Sequence, residues 1–325
     1  SKRRAAERVR ARRPRWQPER MLGRFQSRES SLDPHVFVGD LDAERLRLVE
    51  GAYLPSVFPP SCREEVIGAL RYVWTRHSRS LRVKEMFETL EAFRLIEKQI
   101  SQLMAQRRRR GEGRKEEEEE DTKSSPKQVT TIYDLACGHG LLGVVLAYRF
   151  ANVRVVCVDR ERRPCFDHYL EGFRQHGKAA KGEAHPLSNL CFLEQDFTAI
   201  EDIGAASSFI AMIHGCNEAT KLAAEMAQKH GAGYALMPCC IRDGLYGSVS
   251  RVAQVDDATR HRVMVGLVAG LYGAHLISAI DERITNRNLI LFGGYSLHDK
   301  DACAGGSDCL VGAKKTLTSR HKHVA

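Results

Sequence analysis

The chain lacks a secretory hydrophobic segment at its start, a regular cysteine framework, an internal repeat and an uninterrupted apolar span. Each lack removes a class of protein. Ten cysteines without framework spacing, several inside apolar strand-like runs, read as reduced thiols rather than disulfides, and with no secretory segment they suggest an intracellular protein. The one stretch of near-membrane length, Val263 to Ile280, carries no formal charge but includes Gly273, His275 and Ser278 and is barely long enough to cross. A buried helix followed by a strand explains it better, so no membrane is expected.

What is present is a chain of 325 residues, 43% hydrophobic, enough to bury one large core with a smaller attachment. Its formal charge of +9 is unevenly spread. Residues 1 to 28 hold eleven Lys and Arg against Glu7 and Glu19. Such an arm suits a polyanion, most simply RNA, because each neutralised phosphate releases counterions; a solvated tail is the plain alternative. Trp16 and Phe25 are its candidate docking or stacking residues. An Arg-rich opening is also compatible with an organelle-targeting region, so mitochondrial, cytoplasmic and nuclear locations all stay open.

Charge and turn chemistry divide the rest. A helical pattern from Asp40 to Tyr53 leads to Pro55, Pro59 and Pro60, and Ser61 with Glu64 predicts a capping box opening a second helix. A longer helix carries Val83, Met86, Phe87, Leu90, Phe93, Ile96, Ile100, Leu103 and Met104 on one face, an ordinary core stripe. Arg107 to Arg110 and then Glu116 to Asp121 are blocks of like charge that repel themselves and predict a loop. The expected organisation is a basic arm (1–31), a helical cap (32–106), a charged linker (107–127), a catalytic-type domain (128–297) and a poorly ordered tail (298–325).

Beyond the linker, apolar strand-like and helical segments alternate as a doubly wound α/β sheet requires. Ile132 to Phe150 reads as strand, glycine-rich turn and helix, with Asp134, Gly138, Gly140 and Gly143 in frame. Glycines there admit positive φ and let a ligand approach the backbone. Alone this spacing is weak, but the next β-branched run, Val153 to Val158, ends in Asp159, where a Rossmann-like unit places the carboxylate that accepts ribose hydroxyls. The third strand runs into Asp196 and Phe197, the fourth into His214-Gly-Cys216, and the fifth into Pro238-Cys239-Cys240. Strand candidates His275 to Ile284 and Asn288 to Tyr295 close the sheet.

These residues resemble class I S-adenosylmethionine-dependent methyltransferases over about residues 128 to 297. The phrases around Cys216 and Cys239 are similar to the branch containing tRNA 2′-O-methyltransferases and their methyltransferase-like relatives. The departures are His-Gly-Cys-Asn in place of His-x-Cys-Gly, Cys-Cys-Ile-Arg where further His is usual, and no preceding zinc-finger module. The resemblance implies a seven-stranded Rossmann-like sheet, S-adenosylmethionine as cofactor, and tRNA or rRNA as substrate. It implies cofactor contacts from Asp134, Ala136, Gly138, Gly140, Asp159, Arg160, Asp196, Phe197 and His214, with Asp196 meeting the adenine amino group and Phe197 packing near the base. The Asn-Pro-Pro-aromatic phrase of exocyclic amino methylation is missing, which disfavours that chemistry.

For catalysis the candidates are His214, Cys216 and Cys239. Cys216 or Cys239 can attack a pyrimidine C6, or His214 can position a ribose hydroxyl while the thiols pack. A metal site from His214, Cys216, Cys239 and Cys240 is conceivable because the two strands adjoin, but adjacent cysteines are poor chelate spacing and no metal is expected. The reading from another class is a factor of ribonucleoprotein assembly that keeps the methyltransferase fold without turnover.

Overall fold

The computed structural model describes residues 22–25, 32–112, 129–179, 185–204, 207–216, 218–240 and 256–294, with side chains through 105 in the long N-terminal helix. The arm including Trp16, the linker beyond 112 and the tail lie outside the described residues, apart from residues 22–25. Phe25 is described and is buried edge-on against Phe87, ring centroids 5.4 Å apart, so it packs into the core and offers no stacking surface.

The segment expected as one helix from Asp40 to Tyr53 is broken into pieces. Asp42 caps α1 (Ala43–Leu48) by accepting from the Arg45 amide at 2.8 Å. A π turn (Val49–Tyr53) then leads into the short α2 (Leu54–Val57). Pro55 lacks the amide that a regular turn would use, and the wider turn with Leu54 N–H on the Val49 carbonyl accommodates it. The Ser61–Glu64 capping box does not form. A turn closed by Cys62 N–H on the Pro59 carbonyl makes Cys62 the N-cap of α3 (Arg63–Arg76), without a side-chain cap. The long helix α4 (Val83–Glu112) runs through the arginine block expected to begin the linker, as Arg is a good helix former.

Seven strands follow: β1 (Thr131–Leu135), β2 (Arg154–Asp159), β3 (Leu190–Glu194), β4 (Ser208–Ile213), β5 (Gly233–Met237), β6 (Ala274–Ala279) and β7 (Leu289–Gly293). The helices between them are α5 (Leu141–Arg149), α6 (Pro164–His176), α7 (Glu218–His230) and α8 (Asp257–Leu271). The sheet order is β3-β2-β1-β4-β5-β7-β6, with β1 to β5 parallel and β7 antiparallel to both its neighbours. That is the sheet the resemblance implies. The last two strands, β6 and β7, are shorter than their sequence patterns suggested. After β6 the chain turns at Asp281, whose carboxylate accepts the Arg283 amide, and Asn288 Nδ2 donates to the Ile280 carbonyl across the gap.

Burial explains the layers. Val156, Val158, Ile210, Met212, Leu236 and Leu291 face Val265 and Val268 of α8 and a row of Ala223, Ala224 and Ala227, whose small side chains let α7 lie close on the sheet. On the other side α4 and α5 cover the strands, and α3 packs along α6 so tightly that a Cβ at Gly172 would stand 2.6 Å from the Ala69 carbonyl oxygen. Tyr169 Oη donates to the Ser80 carbonyl at 3.2 Å and Arg149 pairs with Glu97 at 2.7 Å. These ties join the N-terminal helices to the sheet within one compact unit, residues 1–295. Among the described residues no helix is long and apolar enough to cross a membrane.

Candidate active site

The order of β1 to β5 puts the topological switch point between β1 and β4: the chain winds outward through β2 and β3 on one side and through β5 on the other. A crevice must open there, at the carboxyl ends of the strands. A cavity of about 530 Å³ does so, lined by Ala136 after β1, Val158, Asp159 and Arg160 at β2, Gln195 to Thr198 after β3, and Cys216, Glu218, Ala219 and Leu222 after β4. Its size suits a small organic ligand.

The turn after β1 is held from within. Asp134 is buried and accepts the Gly143 amide of α5 at 2.9 Å; burial raises its carboxyl to about 7. It stands beneath the turn and does not line the cavity. Gly140, at φ 76°, is the N-cap of α5 and presses on Phe166, which a Cβ would approach to 2.4 Å. Gly138, at φ 58°, is different, because a Cβ there would meet nothing within 4 Å. Its amide donates to Asp159 Oδ2 at 2.8 Å, so the turn is locked to a carboxylate that lines the cavity, while Gly138 and Gly140 themselves do not line it.

Asp196 is fully engaged. Its Oδ1 accepts from the Thr198 amide at 3.0 Å and hydroxyl at 2.8 Å, and its Oδ2 accepts from Arg160 Nε at 2.9 Å. The Thr198 amide, then its hydroxyl, then Arg160 hold the carboxyl down at about 2. Arg160 is 81% exposed, so that pair contributes little to stability and gives way easily. Phe197 and Leu222 supply apolar wall.

His214 does not line this cavity. It faces a neighbouring cleft of about 390 Å³ with Glu88, Cys239, Cys240 and Arg287. Its Nε2 lies 3.0 Å from Oε2 of Glu88, a buried residue of α4 that the sequence does not single out, close enough for an ion pair but without the alignment of a hydrogen bond. Thus α4 supplies a side chain to the strand-end site. His214 and Ala136 both have positive φ, 63° and 50°, which costs a residue with a Cβ about 1–2 kcal/mol. Two of the three such residues among those described, Leu187 being the other, thus stand at the tips of β1 and β4.

Cys216 and Cys239 come within 2.7 Å of each other, Sγ to Sγ, and both approach the His214 carbonyl, at 3.5 and 3.6 Å. Burial pushes both thiols up, that of Cys239 far up, so they stay protonated at neutral pH and are poor nucleophiles as they stand.

No family profile and no curated protein matches the chain in sequence. Solved structures similar to it include a fibrillarin/Nop5p complex, 10% identical over 51% of this chain and 72% of that one, with a TM-score of 0.32. Another is the S-adenosylmethionine-dependent methyltransferase SibL in its apo form, 11% identical, covering 53% and 52%, TM-score 0.31; the chain spans about half of SibL's length. A third is an O-methyltransferase family protein from Burkholderia thailandensis, 15% identical, covering 71% of each, TM-score 0.32. Scores this low carry no argument about activity. The strand order is what decides the fold. It is that of the class I methyltransferases.

Proposed function

We propose that the chain is an S-adenosylmethionine-dependent methyltransferase whose acceptor is RNA. The observation that carries the cofactor reading is Asp159: a carboxylate at the tip of β2, at the switch point, whose Oδ2 already grips the Gly138 amide while Oδ1 has only a long 3.4 Å contact with the Glu161 amide. A ribose diol needs such an acceptor facing a cavity, and the residues around it fit. Phe197 and Leu222 offer apolar surface to a base, and Asp196 exchanges its exposed Arg160 partner for an amino group. The cofactor, when bound, supplies the electrophilic methyl group.

The chain's own residues then have to bring an acceptor and remove its proton. His214, oriented by Glu88 in the adjoining cleft, is the group suited to take that proton. Support for RNA is electrostatic. Besides the N-terminal arm, a third cleft of about 730 Å³ abuts His139 of the glycine turn and is lined by Arg76, Arg79, Arg82, Arg163, His77 and His168 against Glu85 and Glu161. Such an excess of cation suits phosphates.

Calorimetric titration with S-adenosylmethionine and S-adenosylhomocysteine tests the reading. Binding by the natural chain and its loss in Asp159→Ala and Gly138→Arg is the expected result. A folded chain that binds neither compound would leave a methyltransferase fold used as a scaffold for ribonucleoprotein assembly.

A further inference from the structure

We propose that Cys216, Cys239 and Cys240 form a three-thiolate site for a soft divalent cation, with Zn²⁺ the natural candidate. The sequence argued against this because adjacent cysteines are poor chelate spacing. The structure removes that objection. The chain leaving β5 holds the Cys239 and Cys240 sulfurs 3.7 Å apart. Tetrahedral zinc with Zn–S bonds of about 2.3 Å requires sulfurs about 3.8 Å apart. Cys216, brought in from the end of β4, completes a group whose three Sγ atoms all lie within 4.8 Å of one another.

Cys216 and Cys239 are 2.7 Å apart, closer than two unbonded sulfurs favour, and an ion between them would spread them to the coordination distance. A cysteine binds a metal ion as thiolate, so uptake releases protons and strengthens as pH rises. Among the described residues no fourth sulfur, imidazole or carboxylate joins the group. Cys216 lines the cavity of Asp159, while Cys239 and Cys240 line the cleft of His214 and Glu88, so the ion would stand in the wall between them.

This site does not depend on the methyltransferase reading and is tested without cofactor. The full chain, reduced and stripped of metal, is titrated with Co²⁺ and then with Zn²⁺. One Co²⁺ per chain should give visible bands of tetrahedral coordination and a near-ultraviolet thiolate charge-transfer band, both lost on Zn²⁺ addition, with proton release in weakly buffered solution. Cys216→Ser and Cys239→Ser should each weaken Zn²⁺ affinity by at least about 100-fold, beyond the 10–100-fold typical of outer-shell changes. Each should also remove roughly a third of the charge-transfer intensity, one thiolate of three. Cys62→Ser and the double Cys303→Ser, Cys309→Ser variant should change neither. An unchanged spectrum in the triple Cys216→Ser, Cys239→Ser, Cys240→Ser variant overturns the proposal, as does failure of the reduced natural chain to take up metal. Either result leaves the cofactor titration unaffected.

Discussion

Asp134 shows how much a single residue's role depends on what covers it. Its spacing to Gly138 and Gly140 is visible in the sequence, and so is its place at a strand end. Its burial is not, because that is produced by α5 closing over β1, with the Gly143 amide on its carboxylate. The folded chain binds the Asp134 proton more tightly than an unfolded one, at about 7 against an ordinary 3.8. The stability gained is therefore full below pH 4, declines as pH rises, and is gone above about 7. Asp134→Asn keeps an acceptor for Gly143 and abolishes this titration. Relative to the natural chain the variant should gain stability between pH 4 and pH 7, by at most about 4 kcal/mol at the top of that window. Urea unfolding at pH 5 and pH 8 measures it; an equal offset at both would show that the carboxyl does not titrate in this range. The positive φ of Ala136 and His214 was likewise hidden, since neither residue type announces a left-handed turn.

At the scale of elements, periodicity located the sheet and its helices well. The fourth and fifth strands, Ser208–Ile213 and Gly233–Met237, have the bounds their apolar runs predict. It did less well where proline or a tight turn overrode the pattern, at α1, α2 and the start of α3. What it missed altogether was that α4 reaches the strand ends. Its apolar stripe reads as ordinary core and is: Met86, Phe87, Leu90, Phe93, Ile96 and Ile100 are buried. Glu88, one residue beyond Phe87, looks like a solvated charge until the helix is laid across β4, where it is 4% exposed beside His214. Contacts of this kind join residues more than a hundred apart, and no local pattern contains them. If Glu88 orients His214, then Glu88→Gln, which preserves volume, should lower kcat on a methyl-accepting RNA by on the order of 10²-fold. KM and the calorimetric cofactor affinity should stay within about twofold. A fall in cofactor affinity or in thermal stability of the same proportion would make Glu88 a packing residue only.

For the whole molecule the deciding quantity is the distribution of charge. The sequence exposes the eleven cations of residues 1–28 directly, but the second basic feature is assembled by folding. Arg76 and Arg79 end and follow α3, Arg82 precedes α4, and Arg163 caps α6, so they converge only because α3 packs along α6. Arg82 is already paired with Glu85 at 2.9 Å, whereas Arg79 and Arg163 are exposed. A single-stranded RNA lying in this cleft would run past His139 toward the glycine turn. Each phosphate it neutralises adds about 0.7 to the slope of log K against log salt. The double variant Arg79→Ala, Arg163→Ala should therefore weaken binding at all sequences alike and flatten the slope by about 1.4, two phosphate contacts at 0.7 each. Removal of residues 1–21, which leaves the buried Leu22 and Phe25 in place, should flatten it further and independently, if arm and cleft hold different phosphates. Anisotropy titrations of a labelled RNA at several salt concentrations read both slopes. An unchanged slope in the double variant would mean that the cleft's arginines face no phosphate, and an unchanged slope after truncation would mean the same of the arm. Loss confined to the truncated chain would assign the RNA to the arm and not to the cleft beside His139, and the acceptor would then have to be sought among molecules small enough for the His214 cleft alone.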